Sequence, residues 1–288
     1  MKLVPGSTAR FDRRLRLIRV QRFDLCGCPP SAPQCQTEAT FGVTLSWKMK
    51  PNITLAETKT PNGCRMTLVE HDGSFCIRVN GQQLMHSSVT TSERLLGSLG
   101  CEPYAQKNND TRVLIGGLGL GFTLKSVLET VGKNAVVHVA ELFPEIVAWN
   151  RTFLAGLNGL ALADPRVKVY EEDVRSSIQR GIHAPYDVIL LDIDNGTTAM
   201  VKDNNNELYG EPGLRQIARA LKPGGRAAIW SACADAAIEK RLTKVGFMVQ
   251  AVPAKLHEHA KRSAYMIYMA NKPEATGSAP TGKGKGTA

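Results

Sequence analysis

Two groups of residues in the second half of the chain are placed to do chemistry. Ile115–Gly121 reads IGGLGLG, with Gly116, Gly117, Gly119 and Gly121 lying between an apolar run and a helical one. Glycine permits a tight turn and lets a ligand approach the backbone, while the helix that follows offers free N–H donors. Glu141 closes the next apolar run, AVVHVAE, 20 residues after Gly121. An acid there suits bidentate hydrogen bonding to ribose hydroxyls. Strand, glycines, helix, strand and acid in register point to an adenosine-bearing ligand.

The second group follows two later apolar runs. Asp173 stands in YEEDVRSSI, where it suits an adenine amino group or the N-cap of the next helix. Asp192, Asp194 and Asn195 close LLDIDN. A carboxylate behind so apolar a strand is partly desolvated, which raises its pKa and favours a general-base role. Asp192 is the candidate base. Asp194 is equally suited to bonding local backbone N–H groups.

Other chemistries fit less well. Counting G-x-G-x-x-G from Gly117 and Gly119 puts Phe122 at the third glycine position, which disfavours a nicotinamide dinucleotide site. No Walker lysine follows the glycines, which disfavours a nucleotide triphosphatase. His71, His86, His138 and His183 have no visible nucleophile partner, and the His257/His259 pair lacks further ligands nearby. No metal is expected.

These residues need a scaffold that brings strand ends together. From Asp110 onward the chain alternates strand and helix: RVLIGG, FTLKSVLETV, AVVHVAE, PEIVAWNRTFL, RVKVYEED, YDVILLDID, ELYGEPGLRQIARALKPGG, RAAIWSA, DAAIEKRLTKVG. GFMVQAVPA and SAYMIYMA follow as two adjacent strands. Continuous apolar strands alternating with helices imply an α/β fold, a Rossmann-like, mostly parallel sheet with helices on both faces. Ligands then bind beyond the carboxyl ends of the strands, near the switch in strand order. Ile53–Leu84 differs, with short β-prone runs broken by PNG, HDGS and NG, and reads as a small antiparallel β domain. TTSERLLGSL after it reads as a helix with Thr91 or Ser92 near its N-cap.

The expected organisation is an N-terminal extension without a fold over 1–47, a β-meander domain over 48–106, the Rossmann-like domain over 107–271 and a disordered tail over 272–288. The net charge of +10 is unevenly shared: residues 1–47 carry +4 and the tail +2. The remaining +4 is ordinary for a domain of this size, so nucleic acid is disfavoured as a partner. No apolar run approaches the ~18 residues that would cross a bilayer. Seven cysteines, loosely spaced, fit a reducing, cytoplasmic location.

VLIGGLGLGFTLKSVLE, VAELFPEIV, YEEDVRSSI, YDVILLDIDN and LYGEPGLRQIARALKPGG, with the closing strand pair, resemble the spermidine synthase family. More broadly they are similar to class I S-adenosylmethionine-dependent methyltransferases. The likeness covers roughly Ile53 to Ala270. It implies a seven-stranded sheet with one antiparallel strand, SAYMIYMA. It also implies a glycine loop (Gly116, Gly117, Gly119, Gly121) that holds a sulfonium nucleoside, with Glu141 on its ribose and Asp173 on its adenine. Asp192 stands for the family's catalytic Asp, with Asp194, Asn195 and Tyr209 toward the acceptor. The implied donor is decarboxylated S-adenosylmethionine and the acceptor a di- or polyamine, with a homodimer left open. Family members read GGGDGG where this chain has GGLGLG, so their acid aligns with Gly119. S-adenosylmethionine itself, in methyl transfer to another acceptor, is the alternative.

Overall fold

The computed structural model describes residues 50–105, 110–193, 205–257 and 259–274. The expectations for residues 1–47, most of the tail, Asp194 and Asn195 fall outside the described residues.

Four strands, β1 (Ile53–Lys59), β2 (Arg65–His71), β3 (Ser74–Val79) and β4 (Gln82–His86), form an antiparallel sheet in chain order. Two of its turns are dictated locally. Asp72-Gly73 and Asn80-Gly81 both take positive φ at each position, the geometry of a tight two-residue hairpin matched to the twist of the strands.

The second sheet has the order β10-β11-β9-β8-β5-β6-β7. Its members are β5 (Arg112–Gly116), β6 (Val136–Glu141), β7 (Val167–Glu171), β8 (Tyr186–Leu191), β9 (Leu221–Ser231), β10 (Met248–Lys255) and β11 (Ser263–Asn271). Only β11 runs antiparallel to its neighbours, and it is the SAYMIYMA segment. From β5 the chain steps outward through β6 and β7, then returns to the other side of β5 with β8. The switch in strand order therefore lies between β5 and β8, and Asp192 N–H donates to the Gly116 carbonyl there at 2.8 Å.

The central strands are buried on both faces, so alternate residues feed two cores. Val113, Ile115, Val137, Val139, Val188 and Leu190 face one core. Helices α1 (Thr91–Cys101), α2 (Phe122–Thr130) and α3 (Pro144–Arg151) cover it. Leu114, Ala140, Ile189, Leu191, Ala227 and Ile229 face the other. There α5 (Val174–Gly181), α7 (Glu211–Ala220) and α8 (Ala236–Val245) cover them.

Several boundaries differ from the sequence expectation, each for a local reason. α3 stops at Arg151, and a short α4 (Ala155–Asn158) follows. The expected ELYGEPG helix is two pieces, a short α6 (Asn205–Leu208) and α7, because Gly210 is extended and Pro212 restarts the helix in its first turn. LKPGG is the start of β9 rather than a helix stop. Leu221 is already extended, and a register shift against β8 absorbs the Pro-Gly-Gly. α1 is preceded by Thr90, whose side chain makes no cap bond, while Ser92 Oγ turns to the Glu93 carboxylate at 2.7 Å.

Among the described residues no helix is long and apolar enough to cross a membrane.

Candidate active site

The glycine loop after β5 is held from three sides. Gly117 N–H donates to the Ala140 carbonyl at 2.9 Å. Asn150 of α3 donates its amide to the Gly119 carbonyl at 2.8 Å, and Asn158 donates to Asn150 Oδ1 at 2.6 Å. Glu141 supplies the third support: Oε2 accepts from Leu118 N–H at 2.8 Å and Oε1 from Phe143 N–H at 3.0 Å. Burial pushes the Glu141 carboxyl above its ordinary range, and these backbone donors oppose the shift. Gly119 and Leu142 backbone N–H groups act on the same carboxylate.

Gly117 has φ of +89°, and a Cβ there would strike the Asp192 carbonyl. Only glycine fits that position without moving the end of β8. Gly119, at φ +51°, has the Met85 thioether above it instead, 2.6 Å from where a Cβ would stand.

Two cavities open over these strand ends. One, of about 790 Å³, is floored by Gly117, Gly119, Glu141 and Asp173 and roofed by Met66 and Ile77 of the β-meander. The other, of about 840 Å³, is bordered by His86, Glu93, Trp230 and Tyr265. Leu84, Met85, Asp192 and Ile193 border both. Asp192 is the one ionisable residue of these four.

The Asp192 carboxyl is pushed up to about 7. Burial is the largest cause, and the negative charge of Glu93 and, less, of Glu141 adds to it. Thr123 Oγ1 donates to Asp192 Oδ2 at 2.5 Å and opposes the shift. Glu93 is itself raised, chiefly by burial, with Ser92 opposing. Tyr265 is raised by burial and by the same Glu93 charge. A carboxyl that titrates near neutrality and faces two cavities can take a proton from a bound nucleophile.

Glu93 reaches this place because α1 lies close on α2. Gly97 allows the approach, since a Cβ there would be 2.7 Å from that of Ser126. Ser126 Oγ donates to the Arg94 carbonyl at 2.7 Å, which fixes the first turn of α1, and Thr123 Oγ1 lies 3.3 Å from the Glu93 carbonyl.

The sequence candidates are brought together unevenly. Gly117, Gly119, Glu141, Asp173 and Asp192 border the first cavity. Gly116 and Gly121 instead pack on Val174 and on Asn150 with Asn158. Asp173 does cap α5, accepting from Arg175 N–H at 2.9 Å, and it also pairs with the Arg175 guanidinium. Tyr209 is buried in the core under α7 and borders neither cavity. Sequence reasoning did not single out Met85, Glu93, Thr123, Asn150, Trp230 or Tyr265. They come from separate elements whose meeting no local pattern announces. His138 contacts the Tyr186 hydroxyl at 3.0 Å, and burial pushes it down to about 4, so it is a neutral core residue. Among the described residues no three His, Cys, Asp or Glu side chains gather as a metal site.

No protein-family model matches the chain. A polyamine aminopropyltransferase of Streptomyces coelicolor is 35% identical over 128 residues, covering 43% of this chain. Its Mycobacterium tuberculosis counterpart is 33% identical over 116 residues. The matches span 22% and 21% of these relatives, so the chain matches about a fifth of their length. In fold, the spermidine synthase of Thermotoga maritima superposes with a TM-score of 0.60 at 17% identity, over 77% of this chain and 74% of that one. A probable spermidine synthase of Corynebacterium glutamicum gives 0.54 at 18% identity, over 77% and 81%. Over the matched stretch the chain is similar in sequence to polyamine aminopropyltransferases, and over most of the described residues it has the fold of the spermidine synthases.

Proposed function

We propose that this protein is a spermidine synthase-like transferase that moves an aminopropyl group from decarboxylated S-adenosylmethionine to a di- or polyamine. The observation that carries the reading is the position of Asp192, a carboxyl pushed up to about 7 on the border of two cavities. The first cavity suits the nucleoside. Gly117 brings bare backbone to its lining, and Glu141 and Asp173 are the acids there for the ribose and the adenine. The second cavity, with Glu93 beside aromatic walls, suits an amine.

Asp192 takes a proton from the bound ammonium, which frees the nitrogen lone pair for attack. The donor supplies a carbon activated by cationic sulfur, and as the C–N bond forms the C–S pair leaves as a neutral thioether. Thr123 aims the Asp192 carboxylate.

One observation favours a second reading. The loop offers no acid to pair with an aminopropyl ammonium, and the Met85 thioether lies on Gly119 instead. Methyl transfer from S-adenosylmethionine would need no acid there. Calorimetric titration of the full chain with each sulfonium nucleoside separates the two. Tight binding of the decarboxylated form is expected, and binding of S-adenosylmethionine alone would overturn the aminopropyl reading.

A further inference from the structure

We infer that Glu93 is the second carboxylate of the acceptor site and holds the incoming ammonium beside Asp192. The inference rests on the transferase reading above and adds to it a residue outside the strand-end motifs.

Glu93 and Asp192 are the two acids bordering the second cavity, which reaches the nucleoside cavity at Asp192. The wall also includes Leu84, Val89, Trp230 and Tyr265, surfaces that accept the alkyl chain of an amine and the face of a cation. Other titratable groups there are already engaged or remote. His86 turns Nδ1 to Ser88, accepting its N–H at 3.1 Å, and Glu141 is bound to the glycine loop. Tyr265 stacks on Trp230 with ring centroids 5.0 Å apart. The Glu93 carboxylate accepts from the Ser92 hydroxyl and from its own backbone N–H, and two oxygens with four lone-pair sites leave acceptor capacity for an ammonium.

The pair divides the work. A lone carboxylate that both anchors an ammonium and deprotonates it loses its hold as it becomes neutral. With two, Glu93 keeps its charge on the nitrogen while Asp192 takes one proton: R–NH3⁺ and Asp192–COO⁻ become R–NH2 and Asp192–COOH. The Glu93 charge also raises the proton affinity of Asp192, which makes it a better base toward an amine.

The test uses the full chain saturated with 5′-methylthioadenosine, a stable nucleoside thioether, and titrates in 1,4-diaminobutane. Glu93→Gln is expected to weaken diamine binding about tenfold or more while leaving nucleoside affinity unchanged. In turnover it raises KM for the diamine and moves the acid limb of the rate profile down by roughly one pH unit, because a like charge beside Asp192 is gone. Glu93→Asp should recover part of both effects, and it carries the test if the Gln variant folds poorly. Equal diamine affinity in wild type and variant, or an unmoved acid limb, would overturn the inference. Failure of the wild-type chain to bind the nucleoside would strike the transferase reading instead.

Discussion

The two cavities on either side of Asp192 are built in opposite ways. The side proposed for the nucleoside rests on backbone at its floor: a glycine loop with positive φ, pinned by Glu141 and Asn150, under an apolar roof from the β-meander. The acceptor side is made of side chains from β4, α1 and the ends of β8, β9 and β11. The first can select a shape common to adenosine ligands. The second sets charge, and charge decides which nucleophile is bound and when it loses its proton. On the proposed reading, substitutions on the side-chain-built cavity should alter acceptor preference, and those in the glycine loop should disturb the fold of the loop itself.

The largest effect should come from breaking the cradle. Gly117→Ala forces a side chain into positive φ and against the Asp192 carbonyl. A stability loss of about 3 kcal/mol is expected in denaturant unfolding. Loss of nucleoside binding in calorimetry should accompany it.

That cradle was also the part legible in the sequence. IGGLGLG, Glu141 and Asp173 are contiguous motifs at strand ends, and the strand–helix alternation announced the sheet that aligns them. Both hairpin turns were readable for similar local reasons, whereas the antiparallel sense of β11 followed from the family resemblance alone. Glu93, Trp230 and Tyr265 were not, because their meeting depends on how α1 crosses α2 and on which strand neighbours β9. Tyr209 shows the converse. A motif residue that read as a substrate contact is packed under α7, where a break between two helices turns it inward. The LKPGG stop misled because Pro-Gly-Gly ends helices and also permits the register shift that opens β9.

A smaller effect is expected from removing the buried charge. The folded carboxyl of Asp192 lies near 7, above its ordinary 3.8, so its contribution to stability is full below about 4 and is lost as pH rises through 7. Asp192→Asn has no such loss. Its stability relative to wild type should therefore improve steadily as pH rises from 4 to 8, read from paired thermal melts. A constant difference across that range would contradict the burial of this charge.

Next in size is the hydroxyl that opposes the shift. Thr123→Val removes the bond to Asp192 and should move the acid limb of the rate profile up by roughly one pH unit. This is opposite in sign to the shift expected from Glu93→Gln. Both variants moving the same way would break the assignment of these neighbours.

The smallest effect concerns the shared border. Met85→Ala clears the space above Gly119 and should change donor affinity by only a few-fold, about 0.5 kcal/mol, in favour of the bulkier sulfonium substituent. Competition calorimetry between decarboxylated and intact S-adenosylmethionine reads it.

The most direct test of Asp192 as base is the single-turnover rate from pH 5 to 9, with decarboxylated S-adenosylmethionine and 1,4-diaminobutane, in wild type and Asp192→Asn. The wild-type rate should rise through about pH 7, where this carboxyl titrates. The variant should be slower by roughly 10²–10⁴ and should lack that rise. A variant within a few-fold of wild type, with the same dependence on pH, would contradict the assignment.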